Sequence, residues 1–310
     1  MHVYYDLDEV GTIKNPVVTT GIFDGVHIGH KAIITRLKKS ADKIKGETVI
    51  ITFFPHPRTV LYPNSKGKNL KLICSRNEKI KLLQEYGIDH LIILFFNKKF
   101  ASITSQQFVK EILIDKLHVK KVVVGFNHHF GYLKTGNYEI LRSMGQENSF
   151  EVEEIPAQEL ENETISSTRI RNALIKGDIQ RANAYLDHFY YIMGTLQKGN
   201  PKFSKIGFPM YKVVIEEESK LVPPAGIYAI SSKLKNKTLH GMLIIERHAL
   251  KVGKQIIEVH FFSSDKMNLA GQKFSINVHK RVRKSLNISS SEKLRAQLIK
   301  DENKIEELIF

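Results

Sequence analysis

The first 155 residues alternate between two kinds of segment, and that alternation limits the folds open to the chain. Apolar, β-branched runs stand at Pro16–Phe23, Thr48–Phe54, His90–Phe96, Lys121–Phe126 and Phe150–Ile155. Between them lie stretches of helical period: Lys31–Ile44, Asn77–Tyr86, Ser105–Leu117 and Tyr138–Met144. Strands separated by single helices are joined by right-handed crossovers, which predicts a parallel sheet covered on both faces. Ligands of such sheets bind beyond the carboxyl ends of the strands, where the strand order reverses. Beyond Asp187 the pattern changes. Short runs at Tyr190–Gln197, Tyr211–Glu216, Gly226–Ser231, Leu239–Ile245, Ile256–Phe262 and Lys273–Val278 are separated by polar or Gly/Pro turns. They predict an antiparallel sheet or small barrel, followed by a helix over Ser291–Ile309 with Ser289–Ser291 as candidate caps.

At 310 residues the chain has room for two domains, each with a core of its own. Its charge is uneven. Residues 1–187 carry 26 basic and 21 acidic side chains, and residues 188–310 carry 21 and 11, so most of the net +15 lies in the second part. This excess has two readings: anionic partners, or the Lys- and Asn-rich usage of an A/T-biased genome. The basic run His279–Lys284 leaves open a second domain that binds nucleic acid or a protein, although charge runs more commonly form solvated faces. The longest apolar run, Leu91–Phe96, is far short of the roughly 18–20 residues that cross a bilayer. The first ten residues, MHVYYDLDEV, lack the basic-then-apolar pattern of a signal segment. Cys74 is the only cysteine, which excludes an internal disulfide and a cysteine-based zinc site. A cytoplasmic protein without a membrane partner is the expectation; the oligomeric state is left open.

The most informative stretch is Val17–His30, VVTTGIFDGVHIGH. A strand runs into a turn containing Gly21, Gly25 and Gly29, and a helix starts near His27. Glycines admit a phosphate close to the backbone, and the helix start offers amide donors and a positive dipole end. His27 and His30, three residues apart, project from one side of the first turn. Two imidazoles placed there can stabilise charge that develops on a reacting phosphorus. A second segment, Ile165–Arg171 (ISSTRIR), combines hydroxyls and two Arg at a helix start, suited either to capping or to gripping phosphates.

The whole of GIFDGVHIGH resembles the HxGH nucleotidyltransferases, and ISSTRIR resembles their triphosphate-holding segment. Thr52–Pro57 (TFFPHP) and Gly125–Asn137 (GFNHHFGYLKTGN), with the spacing of all four motifs, resemble the bacterial bifunctional riboflavin kinase/FAD synthetases. The resemblance covers the chain and is strongest from Val17 to Arg171. It implies an α/β chain: an N-terminal Rossmann-like HxGH nucleotidyltransferase domain with a parallel sheet (residues 1–187), then a smaller antiparallel β-barrel domain with a C-terminal helix (residues 188–310). By the same resemblance the first domain is an FMN adenylyltransferase that takes ATP with Mg²⁺ and yields FAD and pyrophosphate. His27 and His30 would stabilise the transferring group, while Gly21, Phe23, Asp24 and Gly25 shape the ATP site. Asn127 would position phosphate or metal, and Ser166, Thr168 and Arg169 would hold the ATP phosphates. Pro55, His56 and Pro57 would line the flavin side. His56, His128 and His129 divide between ligand contact and structural hydrogen bonding. A histidine metal site fits poorly, because a hard cation such as Mg²⁺ prefers oxygen.

The second domain resembles the family's riboflavin kinase barrel but departs from its motifs. Where the family has GFPTAN, with Thr and Asn holding Mg²⁺ and ATP phosphates, this chain has GFPMYK, which puts Met210 and Lys212 at those positions. NIGxRPT is replaced by Ile244–Leu250 (IIERHAL), and the aromatic before Gly271 by Ala270. Glu258 remains at the position of the catalytic base. These departures predict weak or absent phosphorylation of riboflavin beside retained FMN adenylylation. The alternative is a fully bifunctional enzyme.

Overall fold

Alternate residues of a parallel strand face opposite helical layers, so a strand buried on both sides needs an uninterrupted apolar run. Thr48–Phe54 carries such a run at its centre: Val49, Ile50 and Ile51 are all fully buried. The computed structural model describes residues 1–126, 128–156, 165–247, 255–262, 268–288 and 290–309. By packing it divides into two units. The first comprises Met1–Lys71 and Arg76–Ser166, and the second Leu72–Ser75 and Ser167–Phe310.

The first unit contains strands β1 (His2–Tyr4), β2 (Val17–Thr20), β3 (Thr48–Phe54), β4 (His90–Phe95), β5 (Lys121–Gly125) and β6 (Glu151–Ile155). Its helices are α1 (Ile28–Lys43), α2 (Pro57–Leu61), α3 (Arg76–Glu85), α4 (Lys98–Ala101), α5 (Ser105–Gln107) and α6 (Tyr138–Glu147). All strand pairs are parallel, in the order β1-β4-β3-β2-β5-β6. This is the expected parallel sheet with one strand more, since the three residues of β1 are too few to register as a run. The chain moves outward from β2 through β3 to β4, then returns to place β5 on the other side of β2. The strand order therefore reverses between β2 and β5. One core layer packs Val18, Ile51, Ile92, Val122 and Val124 against Val109 and Leu113. Those last two belong to Phe108–Lys116, which continues α5 as a π-helical stretch rather than as the α-helix its periodicity predicts. Thr104 opens it with a reciprocal capping box to Gln107.

The second unit begins with α7 (Ser167–Lys176) and α8 (Ile179–Leu186). Gly177, at φ +78°, and the cap Asp178 split what the sequence presents as one helical stretch. Strands β7 (Tyr190–Lys198), β8 (Tyr211–Val214), β9 (Gly226–Leu234), β10 (Lys237–Arg247), β11 (Gln255–Phe261) and β12 (Lys273–Lys284) follow, with α9 (Pro201–Lys205) after β7 and α10 (Ser291–Ile309) last. The strands close into a barrel in the order β10-β11-β8-β7-β12-β9, with every pairing antiparallel. Register shifts in β12 between Val278 and Lys280, and again between Arg281 and Arg283, give that strand the bend that closure requires. Helix α10 seals the barrel with Leu298 and Ile305, and the Arg283 guanidinium donates to both carboxylate oxygens of Asp301 at 2.6–3.0 Å. Ser290 Oγ accepts from the Lys293 amide at 3.4 Å; the other candidate cap, Ser289, lies outside the described residues. The short segment Leu72–Ser75 joins this unit as an added edge. The Leu72 amide donates to Ser219, and the buried Lys220 ammonium donates to the carbonyls of Ile73 and Tyr191 at 2.6 and 2.8 Å.

Candidate active site

Strand β2 ends at Thr20, and the Gly21 amide still donates to the Ile51 carbonyl of β3 at 3.0 Å. The chain then turns sharply. Phe23, Gly25 and Val26 have φ of +50°, +87° and +41°. Two of these are side-chain-bearing residues in the left-handed region, a conformation that persists only where the surroundings enforce it. Here the surroundings are the core: Phe23, Asp24, Val26 and His27 are all buried. The bare Gly21 leaves room for the Phe23 ring, which would come within 3.0 Å of a Cβ there.

His27 is the N-cap of α1, and its side chain makes no capping bond. The first-turn amides lack intrahelical acceptors, as at any helix start, so the turn presents donors and a positive dipole end. The rings of His27 and His30 stack with centroids 3.8 Å apart, and Phe23 covers His30 at 4.8 Å. The Nδ1 atom of His30 is buried and has no hydrogen-bond partner among the described residues. Burial, then His27, then the Lys79 ammonium hold the His30 pKa well below the usual 6.5, which makes it a neutral imidazole at neutral pH. The pair stands at the carboxyl end of β2, beside the reversal of strand order.

Beneath the turn, Thr52 Oγ1 and Lys79 Nζ both donate to the Ile22 carbonyl, at 3.1 and 2.6 Å. Lys79, from α3, is a residue that sequence reasoning missed. It lies in a helix rich in charged residues, where nothing in the pattern separates it from a solvated face.

At the end of β3, TFFPHP turns through a cis Phe54–Pro55 peptide into α2, with Pro57 at its first position. His56 caps that helix by accepting the Arg58 amide on Nδ1 at 3.0 Å. One of its ring nitrogens is thus committed to structure. At the end of β5, Asn127 lies outside the described residues. His128 stacks on Phe130 at 5.8 Å, and burial followed by His129 brings its pKa down to about 4. Ser166 is exposed and closes the first unit. Thr168 and Arg169 are exposed on the first turn of α7, in the second unit. One turn therefore brings together Gly21, Phe23, Asp24, Gly25, His27 and His30, and Pro55, His56 and Pro57 follow the adjacent strand.

In the barrel, Met210 is buried in an apolar cluster with Phe203, Phe208 and Met242. Lys212 of β8 stands opposite Glu258 of β11. Glu258 is buried, and its Oε1 accepts the Asn200 amide at 2.7 Å. Burial raises its pKa; the Asn200 bond and Lys212 oppose that rise, and Glu246 adds to it.

Two family models match the chain: FAD synthetase over residues 11–169 and riboflavin kinase over residues 186–309. The chain is 33% identical over 293 residues to a bifunctional riboflavin kinase/FMN adenylyltransferase of Buchnera aphidicola, covering 93% of this chain and 92% of that one. It is 31% identical to the Listeria monocytogenes protein of that name, over 93% and 90% of the two chains. It is also 30% identical to the Escherichia coli protein, over 92% and 90%. A crystal structure from Streptococcus pneumoniae, described as a macrolide-efflux protein, superposes with a TM-score of 0.86 over 98% of each chain at 27% identity. Among the described residues of the present chain, no helix is long and apolar enough to cross a membrane. The histidine turn at the strand reversal, the closed barrel behind it in the chain and relatives matched almost end to end lead to one assignment: this chain belongs to the bifunctional riboflavin kinase/FMN adenylyltransferase family.

Proposed function

We propose that the protein is an FAD synthetase, with residues 1–187 forming the FMN adenylyltransferase domain and residues 188–310 the kinase-like barrel. A phosphate oxygen of FMN attacks the α-phosphorus of ATP. The new O–P bond forms as the bond to the β-phosphate oxygen breaks, and pyrophosphate leaves with that electron pair. The observation that carries this reading is the stacked His27–His30 pair at the start of α1, with the buried His30 Nδ1 lacking a partner among the described residues. The neutral His30 imidazole, the His27 ring beside it and helix-start amides supply preorganised donors for the charge that accumulates on the transferring phosphoryl group. In this reading Gly21, Phe23, Asp24 and Gly25 shape the ATP site, Ser166, Thr168 and Arg169 hold its phosphates, and Pro55, His56 and Pro57 line the flavin side.

Asn127 would help to hold Mg²⁺ brought in with ATP, and the ion would neutralise triphosphate charge. Among the described residues no group of three or more His, Cys, Asp or Glu is arranged to hold a metal; the role given to Asn127 follows from the family resemblance, and its amide oxygen suits a hard cation. A cytoplasmic location belongs to the same reading and is supported by the single, buried Cys74.

We infer further that the barrel phosphorylates riboflavin weakly or not at all. Met210 offers no hard oxygen and is packed into the core, while an ammonium at position 212 repels Mg²⁺. The match to the riboflavin kinase model and the retained Glu258 support the competing, fully bifunctional reading. Purified protein incubated with Mg²⁺-ATP and either FMN or riboflavin, with flavins resolved chromatographically, separates the two. FAD from FMN is the expected product. Its absence overturns the adenylyltransferase reading, and rapid conversion of riboflavin to FMN overturns the loss of kinase activity.

A further inference from the structure

The Ile22 carbonyl lies at the entrance to the strained turn and accepts two donors. Thr52 Oγ1, on a fully buried residue of β3, donates at 3.1 Å, and Lys79 Nζ of α3 donates at 2.6 Å. Lys79 also donates to Thr52 Oγ1 at 3.2 Å, which closes a triangle between turn, sheet and helix. We propose that Lys79 is a positioning residue for adenylyl transfer: its ammonium pins the Ile22 carbonyl and so fixes the turn that carries His27 and His30. The proposal rests on the adenylyltransferase reading of that site.

Lys79 acts on the turn in two independent ways. The first is conformational. Phe23 and Val26 occupy the left-handed region, where each side-chain-bearing residue costs on the order of 1–3 kcal/mol unless its surroundings enforce it. A charged donor makes a hydrogen bond roughly twice as strong as a neutral one. Lys79 therefore contributes more than Thr52 to holding the carbonyl that precedes Phe23. The second is electrostatic. The groups acting on the His30 charge are its own burial, His27 in the same turn and Lys79 from α3. The Lys79 ammonium disfavours imidazolium at His30 and adds positive potential where a phosphate would lie.

The test compares Lys79→Arg, Lys79→Gln and Lys79→Met with Lys81→Met, a control on the same helix whose ammonium lies 4.0 Å from Glu85. Two readouts are taken: the His30 imidazole titration by NMR in ligand-free protein, and kcat and KM for FAD formation. Lys79→Met is expected to titrate His30 at higher pH and to lose about tenfold or more in kcat, with KM for FMN changed less. Lys79→Gln keeps a hydrogen bond without the charge, so it should move the titration as Lys79→Met does while losing less rate. Lys79→Arg should hold both readouts near wild type, and Lys81→Met should match it. A folded Lys79→Met protein with wild-type titration and kcat overturns the proposal. So does equal impairment of the Arg and Met variants with the His30 titration unmoved. If Lys79→Met does not fold, the Gln–Arg comparison decides by the same criteria. If wild-type protein makes no FAD, the adenylyltransferase reading fails, and the titration in ligand-free protein still decides whether Lys79 acts on His30.

Discussion

Replacing His30 with alanine separates chemistry from folding, because the structure predicts very different sizes for the two effects. The ring stacks on His27 at 3.8 Å and touches Phe23 at 4.8 Å, and such aromatic pairs contribute about 0.5–1.5 kcal/mol each. Against that loss, removing a buried nitrogen that lacks a partner recovers part of a desolvation penalty of about 1–3 kcal/mol. Alanine also favours the first turn of α1 by a few tenths of a kcal/mol. The net change in stability is therefore about 1 kcal/mol, too little to unfold the domain. The catalytic loss is larger. Removing one preorganised donor from a developing negative charge costs roughly 100- to 1,000-fold in kcat. The assay follows FAD formation from FMN and ATP under saturating substrate, with FMN affinity measured separately by quenching of flavin fluorescence. The expected result is a kcat reduced at least about 100-fold, with FMN affinity within about threefold of wild type. A folded His30→Ala protein that keeps more than about a tenth of the wild-type kcat refutes the role given to this imidazole.

Four further outcomes follow from the structure. His30, His90 and His279 all have pKa values below 6.5, with burial the largest cause in each, so the unfolded chain takes up protons that the native state refuses as pH falls below 6.5. Stability is present above 6.5 and declines below it: the urea midpoint should be lower at pH 5.5 than at pH 7.5, and an unchanged or higher midpoint contradicts the assignment. Asp301→Ala strands the half-buried Arg283 guanidinium against the barrel, and should cost the second unit about 3 kcal/mol or more in urea unfolding; a loss under about 1 kcal/mol would mean that α10 is held by its apolar contacts alone. Gly25→Ala forces a side chain into φ +87° and should cost about 1–2 kcal/mol. Gly29→Ala places its Cβ at an ordinary 3.4 Å from the His27 ring and should leave the thermal midpoint unchanged or raised.

Much of the first unit was legible because its information is local. Unbroken apolar runs mark strands buried on both faces, and GIFDGVHIGH marks a strand, a turn and a helix start within a dozen residues. What escaped has non-local causes. β1 is three residues long and becomes a strand only by pairing with β4. The helical stretch after Ser166 reads as one segment, yet Gly177 at positive φ divides it. His56 stood between ligand contact and structure until its bond to the Arg58 amide committed one nitrogen to a cap.

The sequence by itself determined the class of each half and the place of the histidine pair on a helix start. These are matters of residue type, period and spacing, which the chain carries without reference to distant partners. The tertiary structure alone decided the order of the strands, with its reversal beside β2, and the closure of the barrel. It also decided which groups surround the histidines. Lys79 comes from a helix some fifty residues away in the chain, and its ammonium acquires a role only through the carbonyl and the hydroxyl it meets. Hydrogen bonds and electrostatic fields depend on distance in space, and the spacing of residues along the chain does not encode that distance.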